Sequence, residues 1–228
     1  MLNYLGLLRR ELAAFAECLT GDLDTPVAHC GDWTLYDLVD HLGGGNLWAA
    51  AAVTQGHGDL DPPPGPRDPS ELARWFDSTS QVLLAVLSAD PHTPAWTFFP
   101  PHTVGFWRRR RTQETLMHRW DAEHALGKRP VLDPEPATDG IAEVVDTMAP
   151  RMVKRGVATA PEQAVRFATT DTGASLVFGP GEPVATLTGT ASELLLMLWG
   201  RRHAESAEID WSGDRAAART VLKGPLTP

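Results

Sequence analysis

The stretch Trp107–Gly127, WRRRRTQETLMHRWDAEHALG, carries the residues best able to do chemistry. It lacks proline, ends in glycine and is long enough for several helical turns. Glu114 and His118 stand four apart, so a helix projects them from one side. Asp121 lies three residues on and Arg111 three before Glu114. The resulting stripe, Arg111–Glu114–His118–Asp121, is polar where an amphipathic helix would place leucines. A carboxylate and an imidazole at that spacing can hold one metal ion. They can equally form a solvated face, and a third ligand elsewhere decides between the two. His41 is the candidate: it falls among Leu35, Leu38, Val39 and Leu42, where a histidine is either a core residue or a ligand. His41, Glu114 and His118 together give two imidazoles, one carboxylate and an open fourth position, the donor count of catalytic zinc. Asp121 and Asp37 lie one helical turn from these histidines and are expected to orient the imidazoles or to cap neighbouring groups.

Composition narrows the function classes. Hydrophobic residues make up 43% of the 228 and charged residues 21%, enough for a packed core. A net charge of −9 argues against nucleic acid or an anionic membrane as partner. The one dense basic cluster, Arg108–Arg111, reads either as a solvated helix start or as a site for an anionic substrate or cofactor, with Arg111 the cofactor contact. Two cysteines, Cys18 and Cys30, imply neither a disulfide framework nor a zinc-type cysteine site. The N-terminus reads as an amphipathic helix, not a signal peptide, and no apolar run is long enough to span a membrane. A soluble, cytoplasmic protein is expected, as monomer or dimer.

The elements around these residues follow from periodicity. Leu5, Leu8, Leu12, Phe15 and Leu19 mark a first helix over 2–20. Thr34 with Asp37 caps a second, which meets Gly43-Gly44-Gly45 and continues through Leu47–Val53. A proline-rich linker over 56–69 precedes a third helix capped by Ser70. The aromatic loop from Pro91 to Pro101 either lines a pocket mouth or plugs one end of the bundle. Lys128, Arg129, Pro130, Pro134 and Pro136 read as an inter-domain linker. Beyond it come a helix over 138–149 that Pro150 ends or kinks, strands 165–170, 174–178 and 184–187, a capped apolar helix through Trp199, a short strand 209–211 and a last helix 214–222.

W-T-x-x-D-L-x-x-H-L at Trp33–Leu42, E-x-x-x-H-R-W-D-A-E at Glu114–Glu123 and L-L-x-L-W-G-R at Leu195–Arg201 resemble the mycothiol-dependent maleylpyruvate isomerase family of DinB-like metal-binding proteins. The resemblance implies an α+β protein: a DinB-like four-helix bundle over 1–130 and a small α+β domain with an antiparallel sheet over 131–228. It implies His41, Glu114 and His118 as ligands of zinc or another divalent metal, mycothiol (a low-molecular-weight thiol of actinobacteria) as cofactor, and Arg201 as the arginine that assists catalysis, with Arg202 its possible substitute. A thiolate adding to an activated cis alkene, allowing rotation and leaving again would isomerise a small electrophile; displacing a leaving group instead would make an S-transferase. A metal-dependent hydrolase and a non-enzymatic binding protein are the alternatives.

Overall fold

The longest helix, Val104–Ala125, is buried along most of its length although it is rich in charge. A computed structural model describes residues 2–206 and 208–228. The chain forms two compact units, Met1–Pro130 and Val131–Pro228. The first holds α1 (Tyr4–Ala16, continued by a 3-10 turn to Thr20), α2 (Leu35–Gln55), α3 (Pro69–Val86) and α4 (Val104–Ala125). Helix α4 packs against α1 and α2, and α3 against α2 and α1, so the four close a ring around Leu8, Leu12, Phe15, Leu38, Leu42, Phe76 and Leu83.

Local signals explain the boundaries. Thr34 and Asp37 form a reciprocal capping box at the start of α2. Asp68, not Ser70, caps α3: its carboxylate accepts from the amides of Ser70 and Glu71, and Pro69 takes the first helical position, where no N–H is needed. The aromatic loop plugs the bundle. Phe98 packs on Trp48, Phe106 and Trp107, and the Trp107 indole N–H donates to the Trp96 carbonyl.

The three glycines lie inside α2 without breaking it. A Cβ on Gly43 would stand 2.2 Å from the Trp75 ring, and one on Gly45 would stand 2.6 Å from the Arg111 guanidinium. Gly44 faces open space, with nothing within 4 Å. The first and third glycines therefore let α3 and α4 approach, and the second does not. Gly43→Ala is expected to destabilise the bundle by about 1–3 kcal/mol through overpacking. Gly44→Ala should stabilise it by up to about 1 kcal/mol through helix propensity. Urea unfolding of both variants reads the difference, and equal shifts would remove close packing as the reason for the run.

The second unit is α+β. Helix α5 spans Pro134–Glu143, so Pro134 and Pro136 belong to its first turn rather than to a linker. The chain then passes through a π turn at Val144–Met148 into α6 (Ala149–Lys154). Pro150 neither ends nor sharply stops the helix: it cannot donate to the carbonyl one turn back, and the wider turn accommodates the loss.

Strands β1 (Ala164–Thr169), β2 (Ser175–Phe178), β3 (Pro183–Gly189) and β4 (Asp210–Gly213) order as β2-β1-β3-β4. β1–β2 and β3–β4 are antiparallel, but β1–β3 is parallel, so the sheet is mixed and not wholly antiparallel. The reason is the short connection after β2. Gly179, at φ +99°, passes so close to the backbone of Gln163 that a Cβ would stand 2.1 Å from its carbonyl oxygen. The chain thus steps across the start of β1 and enters β3 on its far side. Helix α7 (Ala191–Leu198), capped by Thr190, packs on α5, and α8 (Arg215–Val221), capped by Asp214, packs on β1 and β3. Among the described residues, no helix is long and apolar enough to cross a membrane.

Candidate metal centre

Helix α2 and helix α4 bring His41, Glu114 and His118 together within the first unit. His41 Nε2 lies 2.9 Å from Glu114 Oε1, and His118 Nε2 lies 3.3 Å from the same oxygen. One ligand atom from each residue falls within 4.8 Å of the other two. Tetrahedral zinc, with bonds of about 2.0–2.2 Å to nitrogen and oxygen, needs donors a little over 3 Å apart, so the set fits an ion of that size. The site opens toward His41, whose side chain is 39% exposed, and closes at His118, which is 7% exposed.

The charges around Glu114 are arranged to keep it a carboxylate. Burial alone would push its pKa up. The Arg110 guanidinium, with Nη2 2.6 Å from Oε2, and the two imidazoles outweigh that and hold it well below the usual range. Arg110 thus takes one carboxylate oxygen and leaves Oε1 to the histidines. At His118, burial disfavours the charged ring, but hydrogen bonding to Asp121, then Cys30 and Glu114, raises its pKa well above 6.5. His118 Nδ1 stands 2.9 Å from Asp121 Oδ2, a carboxylate buried almost completely. That contact fixes which imidazole nitrogen faces Glu114.

Asp121→Asn is expected to weaken metal binding by about 10-fold or more, because the amide no longer supplies a charged acceptor to the distal N–H. Competition against a chromogenic chelator measures it; unchanged affinity would leave Asp121 as a packing residue.

Asp37 does not orient His41. Its carboxylate accepts from the Thr34 amide at 2.8 Å and hydroxyl at 2.7 Å, and those bonds hold its pKa down. It is committed to the cap. Arg111 is buried, with Nη2 donating to the Leu42 carbonyl at 3.1 Å and to Asn46 Oδ1 at 2.8 Å. Burial lowers its pKa to about 10, so it stays cationic, as a brace between α4 and α2 rather than a group offered to solvent. Arg108 caps the end of α3 through the carbonyls of Leu87 and Ala89. Within the basic run, Arg108, Arg110 and Arg111 are thus anchored on groups of the bundle rather than held out as a solvated helix start.

Three neighbours of the centre escaped the sequence reading. Arg110 stands four before Glu114, a pairing readable from spacing alone. Trp33 packs on the His41 ring at 4.9 Å and lies 6.3 Å from that of His118. Cys30, 91 positions from Asp121, reaches its Oδ2 with Sγ at 3.6 Å. Nothing in one sequence marks that contact.

Arg201 belongs to the second unit, just past Gly200, which takes φ +72° at the end of α7. It is buried, and its Nη1 donates to the Trp199 carbonyl at 2.7 Å. Arg202 is more exposed and pairs with Glu193 at 3.1 Å.

A model of the mycothiol maleylpyruvate isomerase N-terminal domain matches residues 5–123, and one of the MDMPI C-terminal domain matches residues 135–220. Two uncharacterized proteins of Mycobacterium tuberculosis, one from each of two strains, are 28% identical over 140 residues, which is 59% of this chain and 71% of theirs. The crystal structure of the mycothiol-dependent maleylpyruvate isomerase superposes with a TM-score of 0.68 at 13% identity, covering 92% of each chain. A histidine-to-alanine mutant of that isomerase gives 0.66 over the same coverage. At such identity the superposition speaks to fold, and the family rests on the matched domains, which span most of the chain: it belongs to the mycothiol maleylpyruvate isomerase family of enzymes.

Proposed function

We propose that His41, Glu114 and His118 hold one divalent metal, zinc by the chemistry of the donors, and that the protein works with mycothiol on a small electrophile as a cis-trans isomerase or S-transferase. The observation that carries this is the convergence of two imidazoles and one ionised carboxylate on a half-open site, three protein donors with room for a fourth. When bound, such an ion stabilises a thiolate near neutral pH, so the chain needs no cysteine nucleophile of its own.

The protein's residues supply the rest. Arg110 keeps Glu114 ionised and directs one oxygen to the site. Asp121 holds the His118 ring in place. Trp33 walls the His41 side with an apolar face and limits water there. Arg201 supplies the cation that recognises a carboxylate-bearing substrate, a role for which guanidinium geometry is suited. The compartment assigned is the cytoplasm, where low-molecular-weight thiols stay reduced.

The test is a stopped assay of maleylpyruvate with and without mycothiol, backed by mass spectrometry of thiol conjugates formed from other electrophiles. A thiol-dependent isomer supports the isomerase and an accumulating conjugate the transferase. Turnover that ignores the thiol would replace both with metal-dependent hydrolysis, and no turnover of any electrophile would favour a binding protein.

A further inference from the structure

The two nitrogens of His118 face two different sets of donors. Nε2 looks toward Glu114 and His41. Nδ1 looks the other way, 2.9 Å from Asp121 Oδ2, and that same oxygen is 3.6 Å from Cys30 Sγ. The thiol, the imidazole nitrogen and the carboxylate oxygen of Cys30, His118 and Asp121 all lie within 4.8 Å of one another. They surround a point where the thiol donates to one carboxylate oxygen that is also hydrogen-bonded to the imidazole. Zinc takes sulfur at about 2.3 Å and nitrogen or oxygen at about 2.0–2.2 Å, which separates sulfur from oxygen by roughly 3.5 Å in a tetrahedron. The observed sulfur–oxygen separation matches that spacing. His118 and Asp121 are buried and Cys30 is half-buried, which leaves an approach from the sulfur side.

We propose that Cys30, His118 and Asp121 form a second, sulfur-containing metal position, sharing His118 back to back with the first. Its chemistry is that of a borderline or soft ion such as zinc, cobalt(II) or cadmium, because thiolate donors select such ions over calcium or magnesium. Binding is an acid–base exchange without redox change. The ion takes the thiolate sulfur, the Asp121 oxygen and the His118 Nδ1 lone pair, while the Sγ–H and Nδ1–H protons leave to solvent. Where the first position is filled, the second ion meets a neighbouring cation and must remove a proton from an imidazole already bound at Nε2. It therefore binds more weakly, and more weakly still at low pH. Filling it removes the Asp121 contact that orients His118, so excess thiophilic metal acts on the centre through its own ligand.

The second position is counted against the proposed first one, but the sulfur donor is read separately from it. Metal-free wild-type protein, His41→Ala and Cys30→Ser are titrated with cobalt(II), following visible d–d absorption and the near-ultraviolet thiolate-to-cobalt band, with circular dichroism to check each fold. The expected wild-type result is two equivalents, the thiolate band growing with the second. Cys30→Ser should lose that band and the second equivalent while keeping the first. His41→Ala should lose the first and keep the band. One equivalent with normal visible absorption and no thiolate band would overturn the sulfur position and leave the first standing. A band that survives in Cys30→Ser would assign the sulfur to Cys18 and overturn the proposal as well. No cobalt uptake by the wild type would sink both positions.

Discussion

His118→Ala is expected to bring bound metal from about one ion per chain at the first position to near none, and thiol-dependent turnover with it. The His118 ring meets both Glu114 and Asp121, so its removal deletes a proposed ligand and the group that ties the ligand set to its support. The fold has reason to survive, because Glu114 keeps Arg110 and Asp121 keeps Cys30. His41→Ala is the cleaner arm, since that side chain is the more exposed of the two and its loss leaves no buried gap. Metal content after exhaustive dialysis and circular dichroism read both variants, each in the Cys30→Ser background so that only the first position is counted, and full stoichiometric metal in either one would refute the ligand set.

The pH dependence has a definite sign. In the metal-free protein the contacts of His118 with Asp121, then Cys30 and Glu114, outweigh its burial and raise its pKa well above 6.5, which favours the proton on the ring that the metal needs. Metal uptake competes with that proton, so apparent affinity should fall as pH is lowered. The metal-free fold behaves in the opposite way. A histidine with a raised folded pKa contributes stability that is fully present below its unfolded pKa and is lost as pH rises through the folded value.

The helices and the pairing of Glu114 with His118 are legible in the sequence because both depend on local spacing. Glu114 and His118 share a face by the geometry of one helix, and the capping box at Thr34 and Asp37 is visible in four letters. His41 needed the further assumption that α2 and α4 face each other, which the bundle supplies. What stayed hidden depends on distance along the chain or on choices between equal local options. Cys30 reaches Asp121 only because the loop over 22–34 folds back, with Val27 donating to the Trp33 carbonyl and Leu35 to that of Thr25. The parallel pairing of β1 and β3 turns on Gly179 clearing a backbone that no local pattern announces. The role of Asp37 was ambiguous by spacing, one turn from His41 and three residues from Thr34, and the nearer backbone amide won. The separate anchoring within the basic run is hidden for a related reason. Four arginines look like one patch in sequence, but successive residues of a helix point in different directions: Arg108 bonds at the end of α3, Arg111 on α2 and Arg110 on α4 itself.

Arg201→Ala is expected to leave metal content and the first unit unchanged while lowering thiol-dependent turnover by about 100-fold or more, the scale for a positioned charge in a site that excludes water. An enzyme acting on a dicarboxylate or keto acid needs a cation able to grip a carboxylate at two points. Arg201 follows a glycine at positive φ, with its backbone amide bonded back to Leu196 and its guanidinium anchored on the Trp199 carbonyl. That anchoring has two readings with different consequences. If the side chain only satisfies the last carbonyl of α7, its loss costs about 0.5–1.5 kcal/mol of stability in the second unit and turnover stays within a few-fold. If the anchor holds the guanidinium ready for substrate, kcat/KM falls far more than stability does, and Arg201→Lys restores charge without the two-point grip and recovers only part of the loss. Arg202 provides the internal control: it is more exposed and paired with Glu193, and Arg202→Ala should change turnover by no more than a few-fold. A large loss in Arg202→Ala with Arg201→Ala unaffected would move the role to the neighbour. Wild-type turnover in both would confine the second unit to scaffolding.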